Sequence, residues 1–361
     1  MEVKILGRDI QTVKNHLDGK RRIMTYGAGS WANDIKKMLE EYGYKLNCAI
    51  VDVQYYDRNM YMDRRGGAIV TSLEKLNPPY DPKYDVIMWA IGSPEKLRSC
   101  MEDDLVSMEC FLLWDMGFWK DKNYLSSHKK EFSEASGLLC DEYSKKVFWS
   151  YIEAQKGNID QDIVYSTNGT YFNELTKKRR SGVFLDCGSY DGGSALEYMK
   201  FIDEECRVYA FEPDKANYQK LVKRMKSRSN LICLNKGCYS SEKALSFASN
   251  GDMSSSLQET GNEMVEVTTI DKILGDEKVA FIKMDIEGAE LEALKGARKV
   301  IERDMPILAI SAYHRQEDLI TLIPYINNLH NESERYDLYL RHHGVVSTEL
   351  VIYAIPTAYN Q

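Results

Sequence analysis

The sequence lacks the features that mark membrane, metal-binding and nucleic-acid-binding proteins. No apolar run approaches the eighteen or so residues that a membrane-spanning helix requires. The eight cysteines form no Cys-x-x-Cys pair and have no metal-ligand spacing with the six histidines. A net charge of −8 argues against a nucleic-acid surface, which needs a clustered excess of lysine and arginine, and we interpret the one basic run, KKRR at 177–180, as a solvated segment. We therefore expect a cytoplasmic protein with buried thiols, no membrane span, no metal and no nucleic-acid partner.

The most informative segment is an apolar strand that ends on an acid and continues into a glycine-rich turn. It runs from Val183 to Gly193 and reads VFLDCGSYDGG. Glycines allow backbone N–H groups to approach a ligand closely, and the helix that follows directs its positive end toward negative groups. The residues expected around a small cofactor are Asp186, Gly188, Ser189, Tyr190, Asp191 and Gly192.

Two later segments repeat the pattern of an apolar strand that ends on an acid. They are Val208–Pro213, with Glu212, and Phe281–Glu290, with Asp285. Strands that alternate with helical segments predict a parallel sheet, whose carboxyl edge binds ligands. Glu212 lies 26 residues after Asp186, about one strand-helix-strand step, and could accept hydrogen bonds from both hydroxyls of a ribose. The alternative is that these acids only begin or cap helices.

The charges at these strand ends favour S-adenosylmethionine over NAD. A dinucleotide-binding turn places glycines against the pyrophosphate, whereas this turn begins with Asp186 on the strand itself. A pyrophosphate would be repelled there. An ammonium and a sulfonium would be attracted by Asp186, Asp191 and Asp285.

The carboxyl-terminal part predicts a β-hairpin after the parallel strands. Its two strand-like runs are Tyr336–Arg341 and Leu350–Ile355, with a short loop between them. A parallel sheet closed by a terminal hairpin is typical of class I methyltransferases.

From about Leu138 to Pro356 the chain resembles the FkbM-type methyltransferases. The resemblance is carried by FLDCGSYDGG (184–193), FEP (211–213), Asn235, TTID (268–271), KMDIEGAE (283–290), His314 and YLRH (339–342). It implies a Rossmann-like α/β sheet, S-adenosyl-L-methionine as the cofactor, and O-methylation of a sugar, glycan or nucleotide-sugar. The further cofactor contacts that it implies are Pro213, Gly237, Cys238 and Glu287, although Lys236-Gly237-Cys238 departs from the family's usual turn.

Methyl transfer to a hydroxyl needs a group that accepts the hydroxyl proton. His314, at the end of a strand next to the Asp285 strand, is the best-placed imidazole. The alternatives are Asp285, Glu287 and a purely structural role for the histidine. Arg341 and His342 are candidates for binding an acidic or hydroxylated acceptor, or else they are solvated loop residues.

The first third of the chain has a strand, glycine turn and helix of its own. Arg22–Ala32 reads RIMTYGAGSWA, and Asn47–Asp52 follows as the next strand. The pattern resembles a Rossmann-like domain in which Gly27, Gly29 and Asp52 hold a nucleotide or nucleotide-sugar. The alternative is a turn that serves only the packing of a strand against a helix.

These observations predict three parts: a Rossmann-like domain over residues 1–117, a helical connector over 118–180 and an FkbM-type methyltransferase domain over 181–361. A homo-oligomer is compatible with this organisation. Two other functions stay open. One is an NAD-dependent sugar-modifying enzyme with the dinucleotide on the first glycine turn, and the other is a non-catalytic nucleotide-binding protein of a glycan pathway.

Overall fold

The structure is a computed structural model. It describes residues 2–7, 10–28, 30–51, 69–90, 109–114, 123–155, 166, 169–177, 181–248, 256–257, 263–344 and 348–359. The chain divides into two compact units. The first comprises residues 1–117, 150–167 and 344–347, and the second comprises residues 118–149, 168–343 and 348–361. Among the described helices, none has the length and apolar character that would let it span a bilayer.

The first unit is built on a six-stranded parallel sheet. Its strands are β1 (Glu2–Gly7), β2 (Arg22–Tyr26), β3 (Cys48–Ile50), β4 (Ile69–Thr71), β5 (Asp85–Trp89) and β6 (Glu109–Trp114). They lie in the order β1-β6-β5-β2-β3-β4, and every pair is parallel. Helices α1 (Ile10–Leu17) and α2 (Ser30–Glu41) add Val13, Leu17 and Ile35 to the core. The Rossmann-like parallel α/β fold expected for the first third of the chain is confirmed.

A buried carboxylate fixes the amino-terminal ends of the two central strands of this sheet. Asp85 begins β5 beside Arg22 of β2 and lies 2.8 Å from Nη2 of Arg21. Burial would raise the pKa of Asp85, but hydrogen bonds from Arg22 and Arg21 lower it to about 2. The carboxylate therefore stays charged and paired at neutral pH.

The second unit contains two sheets. Its strands are β7 (Val183–Cys187), β8 (Val208–Phe211), β9 (Leu231–Leu234), β10 (Gly237–Cys238), β11 (Lys243–Ala248), β12 (Ser256–Leu257), β13 (Glu263–Thr268), β14 (Val279–Met284), β15 (Ile307–Ser311), β16 (Tyr336–His342) and β17 (Leu350–Pro356). The larger sheet has the order β16-β17-β15-β14-β7-β8-β9. The smaller sheet has the order β10-β13-β11-β12.

The larger sheet is parallel except at its carboxyl-terminal edge. Strands β15, β14, β7, β8 and β9 pair in parallel, and β17 is antiparallel to both β15 and β16. Strands β7 and β14 are buried along their whole length, as expected for a parallel sheet covered on both faces. The predicted parallel sheet with a terminal hairpin is confirmed.

The described helices from residue 123 onward are α3 (Tyr124–Ser127), α4 (Lys129–Gly137), α5 (Glu142–Gln155), α6 (Gly193–Phe201), α7 (Lys215–Met225), α8 (Ile270–Leu274), α9 (Glu290–Gly296), α10 (Arg298–Asp304) and α11 (Asp318–Asn327). An aromatic cluster holds α6 on the sheet. Tyr198 of α6 stacks on Phe184 of β7 with ring centroids 4.2 Å apart, and Phe281 of β14 lies edge-on to both rings. This packing fixes the turn between β7 and α6.

Candidate functional site

The turn after β7 requires glycine at two positions. Gly188 has φ +80°, and a Cβ atom there would lie 1.8 Å from the carbonyl oxygen of Asp285. Gly192 has φ +85° and immediately precedes α6. Because left-handed backbone and close approach both favour glycine, Gly188 allows the ends of β7 and β14 to come into contact, and Gly192 allows close packing against Leu221 and Met225 of α7.

Glu212 follows β8 directly and is fixed by backbone donors from two segments. Its Oε2 accepts the N–H of Tyr190 at 2.8 Å, and its Oε1 accepts the N–H of Asp214 at 2.9 Å. Burial raises the pKa of Glu212 to about 7, although both hydrogen bonds oppose the shift. The carboxylate therefore lies beside the glycine turn, as the strand-end pattern predicts.

Asp186 lies beneath this turn, and its charge is balanced by the protein itself. Asp186 and Lys283 are register partners on β7 and β14, and Nζ of Lys283 is 3.2 Å from the carboxylate. Ser194 Oγ donates to the same carboxylate at 2.7 Å, and Lys283 also donates to the carbonyl of Gly188 at 2.6 Å. Our expectation that Asp186 attracts a cationic ligand directly does not match this placement, because a buried ammonium already occupies that position.

Asp285 follows β14 and receives two tyrosine hydroxyls. Tyr171 Oη donates at 2.9 Å and Tyr313 Oη at 3.1 Å. Burial raises the pKa of Asp285, but the positive charges of Lys283 and His314 outweigh it, and the net shift is downward. Asp285 is thus a fixed carboxylate at this end of the sheet.

His314 lies three residues after β15 among three carboxylates. Its Nδ1 is 2.9 Å from Glu290, and its Nε2 is 3.3 Å from Asp285 and 3.5 Å from Glu287. Burial lowers the pKa of His314, but Glu290, Asp285 and Glu287 together raise it to about 10. This charge state opposes the general-base role, which needs a neutral ring; that role stays a prediction.

These elements surround one cleft of about 770 Å³ within the second unit, a size typical of small-molecule sites. The sequence-predicted residues that line it are Gly188, Ser189, Tyr190, Asp191, Glu212, Pro213, Gly237, Cys238, Asp285, Glu287 and His314. Asp186 and Gly192 support the turn but are not among its described lining residues.

The two candidate acceptor-binding residues lie elsewhere. Arg341 Nη2 pairs with Asp141 at 2.7 Å, and its guanidinium also contacts Ser144. His342 is fully buried, and its Nε2 lies 3.1 Å from the carbonyl oxygen of Thr348. Neither residue is among the described residues that line the cleft. The guanidinium of Arg341 is bound by Ser144 of α5 and by Asp141, and His342 is enclosed by the hairpin.

The glycine turn of the first unit is described only in part. Gly27 has φ +114°, and its N–H donates to the carbonyl of Ile50 at 2.8 Å. This contact joins the end of β2 to β3. Gly29 and Asp52, the other two residues of the proposed second nucleotide site, lie outside the described residues.

Sequence reasoning missed several residues of the cleft. Lys283 and Ile286 stand inside the KMDIEGAE motif, which was the available signal, but Glu349 stands in the hairpin loop without any motif. Tyr190, Glu287 and Glu349 all line the cleft with positive φ values of 50°, 56° and 60°. Left-handed backbone is uncommon for such residues and concentrates at functional sites.

Comparisons with known proteins agree with this geometry. Residues 186–345 match the family described as the methyltransferase FkbM domain. No curated protein matches the chain. Among solved structures, methyltransferase FkbM from Methylobacillus flagellatus KT is similar, with a TM-score of 0.61 and 22% identity over 96% of this chain and 93% of that chain. A precorrin-6y C5,15-methyltransferase from Geobacter metallireducens GS-15 has a TM-score of 0.33 and 11% identity over 50% of this chain and 83% of that chain.

The similarity to the precorrin methyltransferase is too low to carry an argument. The similarity to the Methylobacillus structure shows the fold. The family match covers the turn after β7, Glu212, Asp285, His314 and five complete strands of the seven-stranded sheet, and it ends before β17. Residues 186–345 therefore form a methyltransferase domain of the FkbM family.

Proposed function

We propose that this chain transfers the methyl group of S-adenosylmethionine to a hydroxyl of a sugar or glycan. The observation that carries the proposal is the placement of Glu212 and Asp285 on one cleft. They follow β8 and β14, the two strands that flank β7 in the sheet. In an open parallel sheet this carboxyl edge is where ligands bind.

The free hydrogen-bonding capacity of Glu212 fits a ribose. Each carboxylate oxygen can accept about two hydrogen bonds. Each oxygen of Glu212 already accepts one backbone N–H, from Tyr190 or from Asp214. One acceptor position is left on each oxygen, which suits two adjacent hydroxyls.

The charges of the cleft fit a cationic cofactor. Its described lining contains the acids Asp191, Glu197, Glu212, Asp285, Glu287 and Glu349, and the cations Lys283 and His314. Burial raises the pKa of Glu212 and of Glu349 to about 7, and Asp191 is paired with Arg224, so the negative charge of the cleft is smaller than its number of acids. This acidic lining favours a ligand that carries an ammonium and a sulfonium. When bound, S-adenosylmethionine supplies an electrophilic methyl group on its sulfonium. The protein's task is then to hold the acceptor oxygen in line with the methyl group and to exclude water.

Asp285 is the residue best placed to position the acceptor. Tyr171 and Tyr313 hold its carboxylate by their hydroxyls, so the side chain has little freedom to rotate. Its remaining acceptor capacity can receive the O–H of an incoming hydroxyl. Asp285 would thus orient the oxygen, and the rate would depend on that orientation.

The same excess of acids argues for a neutral acceptor. The diphosphate of a nucleotide-sugar would meet like charges at Glu197 and Glu287, whereas Asp191 is paired with Arg224. A sugar or glycan hydroxyl brings no such repulsion, so among the acceptors implied by the family resemblance we favour the uncharged ones.

Calorimetry on the full chain tests the cofactor assignment. We expect S-adenosylmethionine and its demethylated product to bind and NAD not to bind. Transfer of a labelled methyl group to neutral glycans, with nucleotide-sugars as the comparison, then tests the acceptor. NAD binding with no affinity for S-adenosylmethionine would favour the alternative of an NAD-dependent sugar-modifying enzyme. Nucleotide binding without transfer to any acceptor would favour the non-catalytic one.

A further inference from the structure

We propose that Asp285, Glu290 and His314 bind a divalent metal cation at one end of the cleft. Each residue offers one ligand atom, and these atoms all lie within 4.8 Å of one another. Two carboxylates and an imidazole form a mixed oxygen and nitrogen set that suits a first-row divalent cation such as Mn²⁺. No metal site is expected from the cysteine and histidine spacing, and methyl transfer as proposed above does not require one.

Buried polar atoms without hydrogen bonds provide an independent observation. The side chains of His314 and Glu290 are 3% and 1% exposed. Neither ring nitrogen of His314 nor Oε2 of Glu290 makes a hydrogen bond of acceptable geometry. Buried polar atoms are paired in the great majority of cases, so three unsatisfied atoms in one cluster indicate a missing partner. A metal cation would bind one of the ring nitrogens together with carboxylate oxygens, and the other ring nitrogen would keep its carboxylate neighbour.

For a cation on either ring nitrogen of His314, the distance to one carboxylate fits coordination. Two ligands at about 2.1 Å from one cation lie about 3.0–3.4 Å apart at octahedral or tetrahedral angles. The separations are 2.9 Å between His314 Nδ1 and Glu290, and 3.3 Å between His314 Nε2 and Asp285. A cation on either ring nitrogen therefore has one carboxylate already near coordination distance.

The protein also holds these ligands in place. Glu290 is the first residue of α9, and its Oε1 accepts the N–H of Ile286 at 2.9 Å. Asp285 is held by two tyrosine hydroxyls. Metal sites depend on such outer contacts to orient their ligands. Glu287, 3.5 Å from His314 Nε2, adds a further negative charge that favours a cation.

Asp285 and His314 line the cleft, so a cation here would lie next to the position that we assign to the acceptor oxygen. That catalytic consequence rests on the proposed function, because it assumes an acceptor at this end. Metal binding itself does not, and it can be measured without cofactor or acceptor.

Titration of the full chain with Mn²⁺, with free Mn²⁺ followed by electron paramagnetic resonance, tests the site. We expect saturable binding of about one Mn²⁺ per chain. Glu290→Gln and Asp285→Asn should each weaken it by about 10- to 100-fold or more. Glu292→Gln is the matched control, because Glu292 lies on the same helix and pairs with Lys295 at 2.6 Å, outside the cluster.

Circular dichroism identifies any variant that fails to fold. If either Glu290→Gln or Asp285→Asn fails to fold, the other still tests the site. No saturable binding by the wild type would overturn the proposal and would leave a protonated His314 as the only cation of the cluster. Unchanged binding in both variants, or an equal loss in Glu292→Gln, would also overturn it. Since no S-adenosylmethionine is present, failure here is distinguishable from failure of the proposed function.

Discussion

Replacing Glu212 by glutamine should weaken the binding of S-adenosylmethionine and remove the pH dependence of that binding. Glu212 is 6% exposed, and its carboxylate is fixed by two backbone donors. Its loss removes hydrogen bonds to a charged group, each worth about 1.5–3 kcal/mol, which is about a 10- to 150-fold increase in Kd. Glutamine keeps the size of the side chain and one acceptor oxygen, so the lower end of this range is expected.

The pH dependence follows from the pKa of about 7 that burial gives Glu212. If only the ionised carboxylate accepts both ribose hydroxyls, affinity follows the ionised fraction, which rises from about 0.1 at pH 6 to about 0.9 at pH 8. Wild-type affinity should therefore rise about tenfold over this interval. The pKa of Glu212 in the folded state is raised above its unfolded value of 4.5, so its contribution to stability is lost as pH rises from about 4.5 to 7.

Calorimetric titrations at pH 6, 7 and 8 measure the affinity, and thermal unfolding of the ligand-free protein measures the stability. The glutamine variant should show a flat affinity profile, and its melting temperature relative to the wild type should increase with pH. A wild-type affinity that does not change from pH 6 to 8, or a variant that binds as tightly as the wild type at pH 8, would refute the ribose assignment.

Two substitutions test the packing. In Gly296→Ala the new Cβ would lie 2.0 Å from the carbonyl oxygen of Tyr239, so we expect a loss of about 1–3 kcal/mol or more in the free energy of unfolding. Gly137→Ala is the control and should be nearly neutral, because Gly137 also ends a helix but has nothing within 4 Å of the added Cβ. Equal effects of the two substitutions in denaturant titrations would contradict the packing argument. Asp85→Asn leaves the Arg22 guanidinium without its anion and should lower the free energy of unfolding by roughly 3 kcal/mol at pH 7. The difference from the wild type should shrink as pH falls through about 2, the pKa of Asp85, because the wild-type carboxylate is then also neutral. An unchanged free energy of unfolding at pH 7 would refute this stabilising role of the ion pair.

Much of the fold follows from local pattern. The three apolar runs that end on acids are β7, β8 and β14, and the two final runs form the antiparallel pair β16 and β17. A parallel sheet buried on both faces requires such continuous apolar runs, so their identity and order could be predicted from the residues alone.

The charge relations of the site could not be predicted in this way, because they depend on register between strands that are distant in sequence. Asp186 faces Lys283 only because β7 pairs with β14 in this register. The pKa of His314 is raised mainly by Glu290, the first residue of α9, which lies 2.9 Å from Nδ1. Arg341 was expected near an acceptor, but its guanidinium binds Ser144 of α5 and Asp141, the residue just before that helix.

The central claim is that S-adenosylmethionine binds in the cleft of the second unit. Hydrogen–deuterium exchange of the full chain, measured with and without S-adenosylmethionine, tests this claim most directly. Backbone N–H groups held by a ligand exchange more slowly. We expect protection in peptides that cover residues 186–194, 211–217 and 283–290, which contribute to the cleft. Peptides that cover residues 22–28 of the first unit should not change. Protection confined to residues 22–28, or no protection at a saturating concentration, would contradict the account.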